Sequence, residues 1–308
     1  MHKTAFVFPG QGSQFLGMGK DLYEAFREAR AVYEKANEIL GFSLSGLCFD
    51  GPEADLRLTI NTQPALFVTS FACLKVLESR GVRPDVVAGH SVGEYAANAA
   101  AGSLTLEDGT ALIRRRGELM QEAGVRHPGT MAAIIGLTPE KTEEACRAAA
   151  NTGIVDVANF NSPGQIVISG ETAAVEEAGR IAKEAGARKV IPLNVSGGFH
   201  SRLMLSTVDD LAKELASVPF RESKIPVAAN ISATYVRHPD EIRDALARQI
   251  AGSVQWEKSI SMMIEDGVDT FIEVGPGKVL SGLIKRISGD VVVRNVGDVE
   301  SLNAFPAS

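Results

Sequence analysis

The sequence predicts an α/β fold in which a large domain with a mostly parallel sheet (residues 1–125 and 198–308) is interrupted by a small α+β module (residues 126–197). Three observations predict it. Short apolar runs alternate with helical stretches from the N-terminus onward, the order expected of strands buried between helices. The middle of the chain switches to the order β-α-β-β-α-β. The 308 residues, 45% hydrophobic and 22% charged, supply enough apolar chain for one large core and a small second one.

Taken in order, "TAFVF" (residues 4–8) reads as a buried strand and "QPALFVTSFACLKVLESRG" (63–81) as a helix closed by Gly81. "DVVAG" (85–89) is a second strand, and "GEYAANAAAG" (93–102) a small-residue helix able to pack closely on a sheet. "TLEDGTALIRRRGELMQEAG" (105–124) opens with a capping box from Thr105 to Asp108 and ends at Gly124. In the middle, "GTMAAIIGL" is a strand, "TPEKTEEACRAAA" a helix, and "GIVDVANF" with "GQIVISG" a strand pair across "NSP". A helix, "ETAAVEEAGRIAKEAG", and a strand, "ARKVIPLNVS", complete the split unit of ferredoxin-like folds. The last strand and helix lie in "DTFIEVGPGKVLSGLIKRI" (269–287).

Composition excludes several classes. A formal net charge of −7 argues against a general nucleic-acid binder, which needs clustered excess Lys and Arg. No apolar run reaches bilayer length, and the apolar stretch of "MHKTAFVFPGQG" is too short for a signal peptide. Cys48, Cys73 and Cys146 are far apart and odd in number, so neither a disulfide framework nor a zinc site is expected. A cytoplasmic location, no metal and no cofactor are the expectations, and the chain is expected to be a monomer.

In "VVAGHSVGEYAA" (86–97), Ser91 stands between Gly89 and Gly93 as G-x-S-x-G, after a strand and before a helix. That is the context of a nucleophile elbow, which gives the large domain an α/β-hydrolase-like character. A tight turn whose serine only caps the helix shares the pattern. A serine hydroxyl needs a base. Of five histidines, His2 is terminal, His127 and His238 precede prolines in polar loops, and His90 should diverge from Ser91 at the turn. His200, in "SGGFHS" where the chain re-enters the large domain, is the candidate base, although a hydrogen-bonded loop histidine reads the same way. No acid stands out as a third member. A backbone carbonyl can hold the second ring nitrogen, so a dyad is expected.

On the 105–124 helix, Leu112, Ile113, Leu119, Met120 and Ala123 share an arc about 120° wide at about 100° per residue. Arg116 lies inside that arc, Arg115 at its flank and Arg114 opposite, so Arg114 and Arg115 are expected in solvent. An inward guanidinium is costly unless it meets an anion. That anion is either a carboxylate of this chain or a substrate carboxylate held by two parallel hydrogen bonds. Gln249 shares the inward face of Ile242, Leu246 and Ile250 and needs a polar partner. Gln11 sits between two glycines in "FPGQGSQ", which lacks both the third glycine of a dinucleotide loop and the lysine of a phosphate loop. Donating its backbone N–H to an oxyanion is the better use.

Together, "GQGSQ", "TQPAL", "GHSVGE", the arginine of "RRRGELMQ", "NFNSPGQIVISG", "FHSRLM" and "IEVGPGKVLSGLIKR" resemble the malonyl-CoA:acyl carrier protein transacylases, in the same order from residue 10 to residue 286. The resemblance implies a two-step transfer. Ser91, activated by His200, takes malonyl from malonyl-CoA and passes it to the phosphopantetheine thiol of acyl carrier protein. It implies oxyanion donors at the Val92 and Gln11 N–H groups, a carboxylate clamp at Arg116, and a main-chain carbonyl of Gln249 that orients His200. Two departures stand out: Val92 where leucine is common, and Gly198 where alanine is common. Phe199 is retained, which goes with malonyl, while Gly198 loosens the same wall and leaves strict selectivity open. Arg188 and Lys189, with Lys285 and Arg286, are candidate carrier-docking residues by family position; plain surface charge is the alternative. A polyketide acyltransferase shares this chemistry. A serine esterase or thioesterase shares the elbow and base but has no use for Arg116, and a non-catalytic carrier binder has no use for Ser91.

Overall fold

The computed structural model describes residues 2–195 and 197–305. β1 (Lys3–Phe8) is followed by α1 (Lys20–Ala25), α2 (Arg27–Leu40), α3 (Leu44–Asp50), α4 (Glu53–Leu56) and α5 (Thr59–Ser79). β2 (Val86–Gly89) leads into α6 (Gly93–Ala100) and α7 (Leu106–Arg126). The middle segment is β3 (Thr130–Ile135), α8 (Pro139–Ala149), β4 (Val155–Ser162), β5 (Gln165–Gly170), α9 (Thr172–Glu184) and β6 (Lys189–Pro192). The chain returns through α10 (Leu205–Ser217), β7 (Val227–Ala229), β8 (Thr234–Val236), α11 (Pro239–Gln249) and α12 (Trp256–Glu265). It ends with β9 (Val268–Val274), α13 (Val279–Ile287), β10 (Val292–Val296) and α14 (Val299–Asn303).

The architecture is mixed α/β. One sheet has the order β10-β9-β1-β2-β7-β8 and is parallel except for β8 at its edge. The other, β4-β5-β3-β6, is antiparallel throughout. Its faces divide by the period of two. Ala132, Ile134, Ile166 and Ile168 pack with α8 and α9, while Met131, Ala133 and Val167 join the main core of the parallel-sheet unit. Backbone bonds tie β4 to the segment between α11 and α12: Phe160 N–H donates to Val254 O at 2.9 Å and Val254 N–H to Ala158 O at 2.8 Å. This contact carries Asn159 and Asn161 of β4 toward the C-terminal end of β2.

Two helix bounds, one strand end and the exposure of two arginines differ from expectation. α5 starts at Thr59 and contains Pro64. Proline cannot donate to the carbonyl four residues back. Arg114 Nη1 donates to that carbonyl, Ile60 O, at 3.2 Å and to Asn61 Oδ1 at 3.0 Å. Arg114 is therefore half-buried and serves as a splint for α5 rather than a solvated charge. Arg115 is likewise half-buried, paired with Glu118 and Glu214. α7 runs past Gly124 to Arg126 and stops at His127, where Pro128 bars a helical conformation for the residue before it. β6 ends at Pro192 rather than continuing along "LNVS", of which Ser196 lies outside the described residues.

Candidate active site

The elbow is built by steric exclusion. Ser91 has φ 51°, a left-handed conformation that a serine adopts only under constraint. A Cβ on Gly89 would lie 2.0 Å from the carbonyl carbon and oxygen of Gly93, and one on Gly93 would lie 2.1 Å from Phe8 O. The turn closes because both are glycine. Gly10 brings the loop after β1 against the same turn, since a Cβ there would lie 2.5 Å from His90 O. His90 is engaged elsewhere: Nε2 is 2.8 Å from Asn161 Oδ1 and the ring lies beside Trp256, although the residue also lines the cavity in front of Ser91.

His200, also at positive φ (57°), places Nε2 2.8 Å from Ser91 Oγ. Its Nδ1 lies 2.8 Å from the main-chain oxygen of Gln249. A carbonyl only accepts, so Nδ1 carries the proton and Nε2 presents its lone pair to the serine hydroxyl. Burial, reinforced by the charge of Arg116, pulls the His200 imidazole down to about 3, so it is neutral at physiological pH.

Arg116 is fully buried on α7. Its Nη1 donates to Gln63 Oε1 at 2.5 Å, and its Nη2 to Gln249 Oε1 at 3.0 Å and Ser91 Oγ at 3.3 Å. Its guanidinium carbon is 5.5 Å from the centroid of the Tyr95 ring. No carboxylate pairs with it directly among the described residues. Amide oxygens solvate the charge, and they yield to a stronger acceptor more readily than a carboxylate does. Burial pulls the guanidinium below its ordinary value, opposed by Tyr95 and Glu94.

A cavity of about 100 Å³ opens in front of these groups. Gln11, Ser91, Val92, Arg116, Phe199 and His200 line it, with Met131 and Asn159 from the antiparallel sheet opposite. Gln249 sits behind, holding both His200 and Arg116. Among the described residues, the backbone N–H groups of Gln11 and Val92 donate to no other group, whereas Ser91 N–H is taken by Asn230 Oδ1 at 2.7 Å. Two donors thus remain for an oxyanion, one from the loop and one from the N-terminus of α6. At Gly198 a Cβ would lie 2.7 Å from Leu203 Cδ1, so the methyl space is already filled by leucine. Arg188, Lys189, Lys285 and Arg286 are exposed and lie outside this cavity.

A model of the acyl transferase domain matches residues 5–297. The chain belongs to this family. It is an acyltransferase, with a malonyl CoA-acyl carrier protein transacylase of Bacillus subtilis 45% identical over 98% of this chain and 96% of that relative. An acyl carrier protein S-malonyltransferase of Vibrio cholerae superposes with a TM-score of 0.95 at 45% identity, covering 98% of this chain and 99% of that one. A malonyl-transacylase solved in complex with a type II PKS acyl-carrier protein superposes with a TM-score of 0.95 at 42% identity, covering 98% of each chain.

Sequence reasoning missed four members of this candidate site. Gln63 is quoted within "TQPAL" but stands on a helix buried along nearly its whole length, where no periodicity singles it out. Glu94 and Asn230 are buried polar residues in apolar surroundings, a signal that could have found them. Asn161 was legible only as part of a turn.

Proposed function

We propose that this acyltransferase moves a malonyl group from malonyl-CoA to the phosphopantetheine thiol of acyl carrier protein, through an ester on Ser91, supplying the extender unit for fatty acid synthesis. His200 Nε2 takes the proton as Ser91 Oγ attacks the thioester carbonyl. The N–H groups of Gln11 and Val92 receive the oxyanion. Its collapse breaks the C–S bond, and the CoA sulfur leaves with the proton from His200. The carrier thiol then attacks the ester in the reverse sequence and regenerates the serine. Thioester and ester exchange is nearly balanced, so the transfer as written draws on positioning and charge stabilisation, with no metal or cofactor.

One observation carries the reading: the buried guanidinium of Arg116 lies 3.3 Å from the Ser91 hydroxyl, with no carboxylate paired to it among the described residues. A hydrolase of neutral esters has no use for that charge, whereas a malonyl carboxylate completes it. The reading extends to organisation and location. Residues 1–125 and 198–308 form an α/β-hydrolase-like catalytic domain, residues 126–197 a ferredoxin-like subdomain, and the chain acts as a cytoplasmic monomer.

The test is mass spectrometry of the intact chain after brief exposure to malonyl-, methylmalonyl- and acetyl-CoA, followed by addition of acyl carrier protein. Malonyl should add to Ser91 and persist until the carrier arrives. Prompt release of malonate without a thiol acceptor would instead identify a thioesterase. A preference for polyketide carriers over fatty-acid carriers would move the enzyme to that pathway.

A further inference from the structure

Glu94, the second residue of α6, is 1% exposed and plays no part in the transfer described above. Its Oε2 accepts from Gln249 Nε2 at 2.6 Å and from Asn230 N–H at 3.1 Å. The same Gln249 Nε2 donates to Ser91 O at 3.1 Å. The groups facing that end of the amide, Glu94 Oε2, Ser91 O and, at 3.5 Å, Asn230 Oδ1, are all acceptors, and the group facing the other end, Arg116 Nη2, is a donor. Only one sense of the amide satisfies all four. Reversal would set an NH₂ against a guanidinium and a carbonyl against a carboxylate.

We infer that Glu94 is a positioning residue for selection of a carboxylated acyl group, because it fixes which end of the Gln249 amide faces Arg116. The fork of Arg116 is thereby held over Ser91 by a neutral acceptor. Without that anchor the Nε2 end keeps only Ser91 O and the long contact to Asn230 Oδ1, the amide is held less firmly, and the guanidinium loses part of its orientation toward an incoming carboxylate. Burial pushes the Glu94 carboxyl up to about 7. The role survives either protonation state, since the oxygen facing Gln249 accepts in both. Glu94 also ties Asn230 to the elbow, a structural contribution that affects all substrates alike.

The inference rests on the malonyl transfer proposed above and needs its own readout. The quantity to measure is the ratio of kcat/KM for Ser91 acylation from malonyl-CoA to that from acetyl-CoA, with thermal melting as a control for folding. Glu94→Leu and Gln249→Met should each lower this ratio about tenfold or more, the consequence of losing one oriented charge-assisted hydrogen bond. The double variant should fall no further than Gln249→Met alone. Glu94→Gln retains an acceptor carbonyl and should keep the ratio within about threefold. If Glu94→Leu does not fold, Gln249→Met and Glu94→Gln still decide the matter. An unchanged ratio in Gln249→Met overturns the inference, as does a Glu94→Gln ratio that collapses. Absence of malonyl acylation in the wild-type chain would sink the functional reading itself, a result separable from failure of this one.

Discussion

Arg116 and Glu94 are both buried and, when Glu94 is ionised, oppositely charged, yet they are separated by one glutamine side chain instead of touching. Gln249 Oε1 lies 3.0 Å from Arg116 Nη2, and Gln249 Nε2 lies 2.6 Å from Glu94 Oε2. A direct ion pair here would commit two of the guanidinium N–H groups to a fixed carboxylate that competes with an anionic ligand. Interposing an amide keeps a countercharge near while leaving the fork able to exchange a neutral acceptor for a charged one.

The first prediction follows from that exchange. Arg116→Ala should reduce kcat/KM for malonyl-CoA about 10²-fold or more, the loss of charge-assisted hydrogen bonds to the substrate carboxylate. Acylation from acetyl-CoA, which offers no carboxylate, should fall far less, so the preference shifts toward the uncharged acyl group. Steady-state kinetics with both thioesters checks this; equal losses for both would remove the clamp.

Much of this site was legible in the sequence, and the reason is local. Gly89, Ser91 and Gly93 are close in the chain, and a turn that tolerates no Cβ on either side writes itself as glycine. Arg116 betrays itself by helical phase, because a charge inside an apolar arc breaks the periodicity. His200 could be reached by elimination. Glu94, Gln63 and Asn230 could not be assigned roles, because their partners come from chain segments far away and hydrogen-bond direction has no sequence period. Arg114 was misjudged for the same reason: its need arises from Pro64 on another helix. The β-α-β-β-α-β order was readable from alternating apolar residues, whereas the bridge from β4 to Val254 was not, since it rests on two backbone bonds.

The elbow glycines predict stability effects. Gly93→Ala places a Cβ 2.1 Å from Phe8 O and 2.8 Å from Pro9 O, both backbone atoms of the sheet and the loop after it. Relief requires moving α6 off β1. A loss of about 3 kcal/mol or more is expected, in the range of severe core overpacking. Denaturant unfolding measures it, and a native-like midpoint would contradict the packing described.

Buried His200 and Glu94 give opposite stability slopes with pH. For His200 the folded imidazole sits near 3, below its ordinary 6.5. The unfolded chain binds more protons between these values, so its contribution is present above 6.5 and lost as pH falls toward 3. For Glu94 the folded carboxyl sits near 7, above its ordinary 4.5. The folded state binds more protons there, and stability is present below 4.5 and lost as pH rises through 7. Glu94→Gln removes the second slope alone. Relative to the variant, the wild-type melting temperature should decline from pH 5 to pH 7, and parallel curves would refute the assignment of that slope to Glu94.

Gly198 raised the question of a loosened wall beside Phe199. Leu203 Cδ1, the far end of a flexible side chain, lies 2.7 Å from where an alanine methyl would sit, with the Gly170 carbonyl oxygen next at 3.2 Å. Gly198→Ala should therefore leave the preference for malonyl over methylmalonyl within about threefold, since a single methyl is offset by a shift of Leu203. Phe199→Ala removes the wall itself and should relax the preference about tenfold. Competition between the two CoA esters measures both. A larger effect at Gly198 than at Phe199 would reverse the roles given to them.

Carrier docking makes the last prediction. Arg286 Nη1 donates to Gln165 Oε1 at the start of β5, and the Arg188 side chain lies over Gly136, whose N–H bonds Gly164 O at 2.8 Å. One arginine from each of two basic pairs distant in sequence thus lies near one turn between β4 and β5, on a chain whose net charge is −7. An acidic partner approaching this chain meets overall repulsion and needs such a local patch to orient it. Reversing Arg188 and Lys189 to Glu, or Lys285 and Arg286 to Glu, should raise KM for acyl carrier protein about tenfold at low salt, with the effect shrinking as ionic strength screens it. KM for malonyl-CoA should stay unchanged. Because CoA is also anionic, an equal rise for both substrates would mean that the patch senses negative charge in general and does not recognise the carrier.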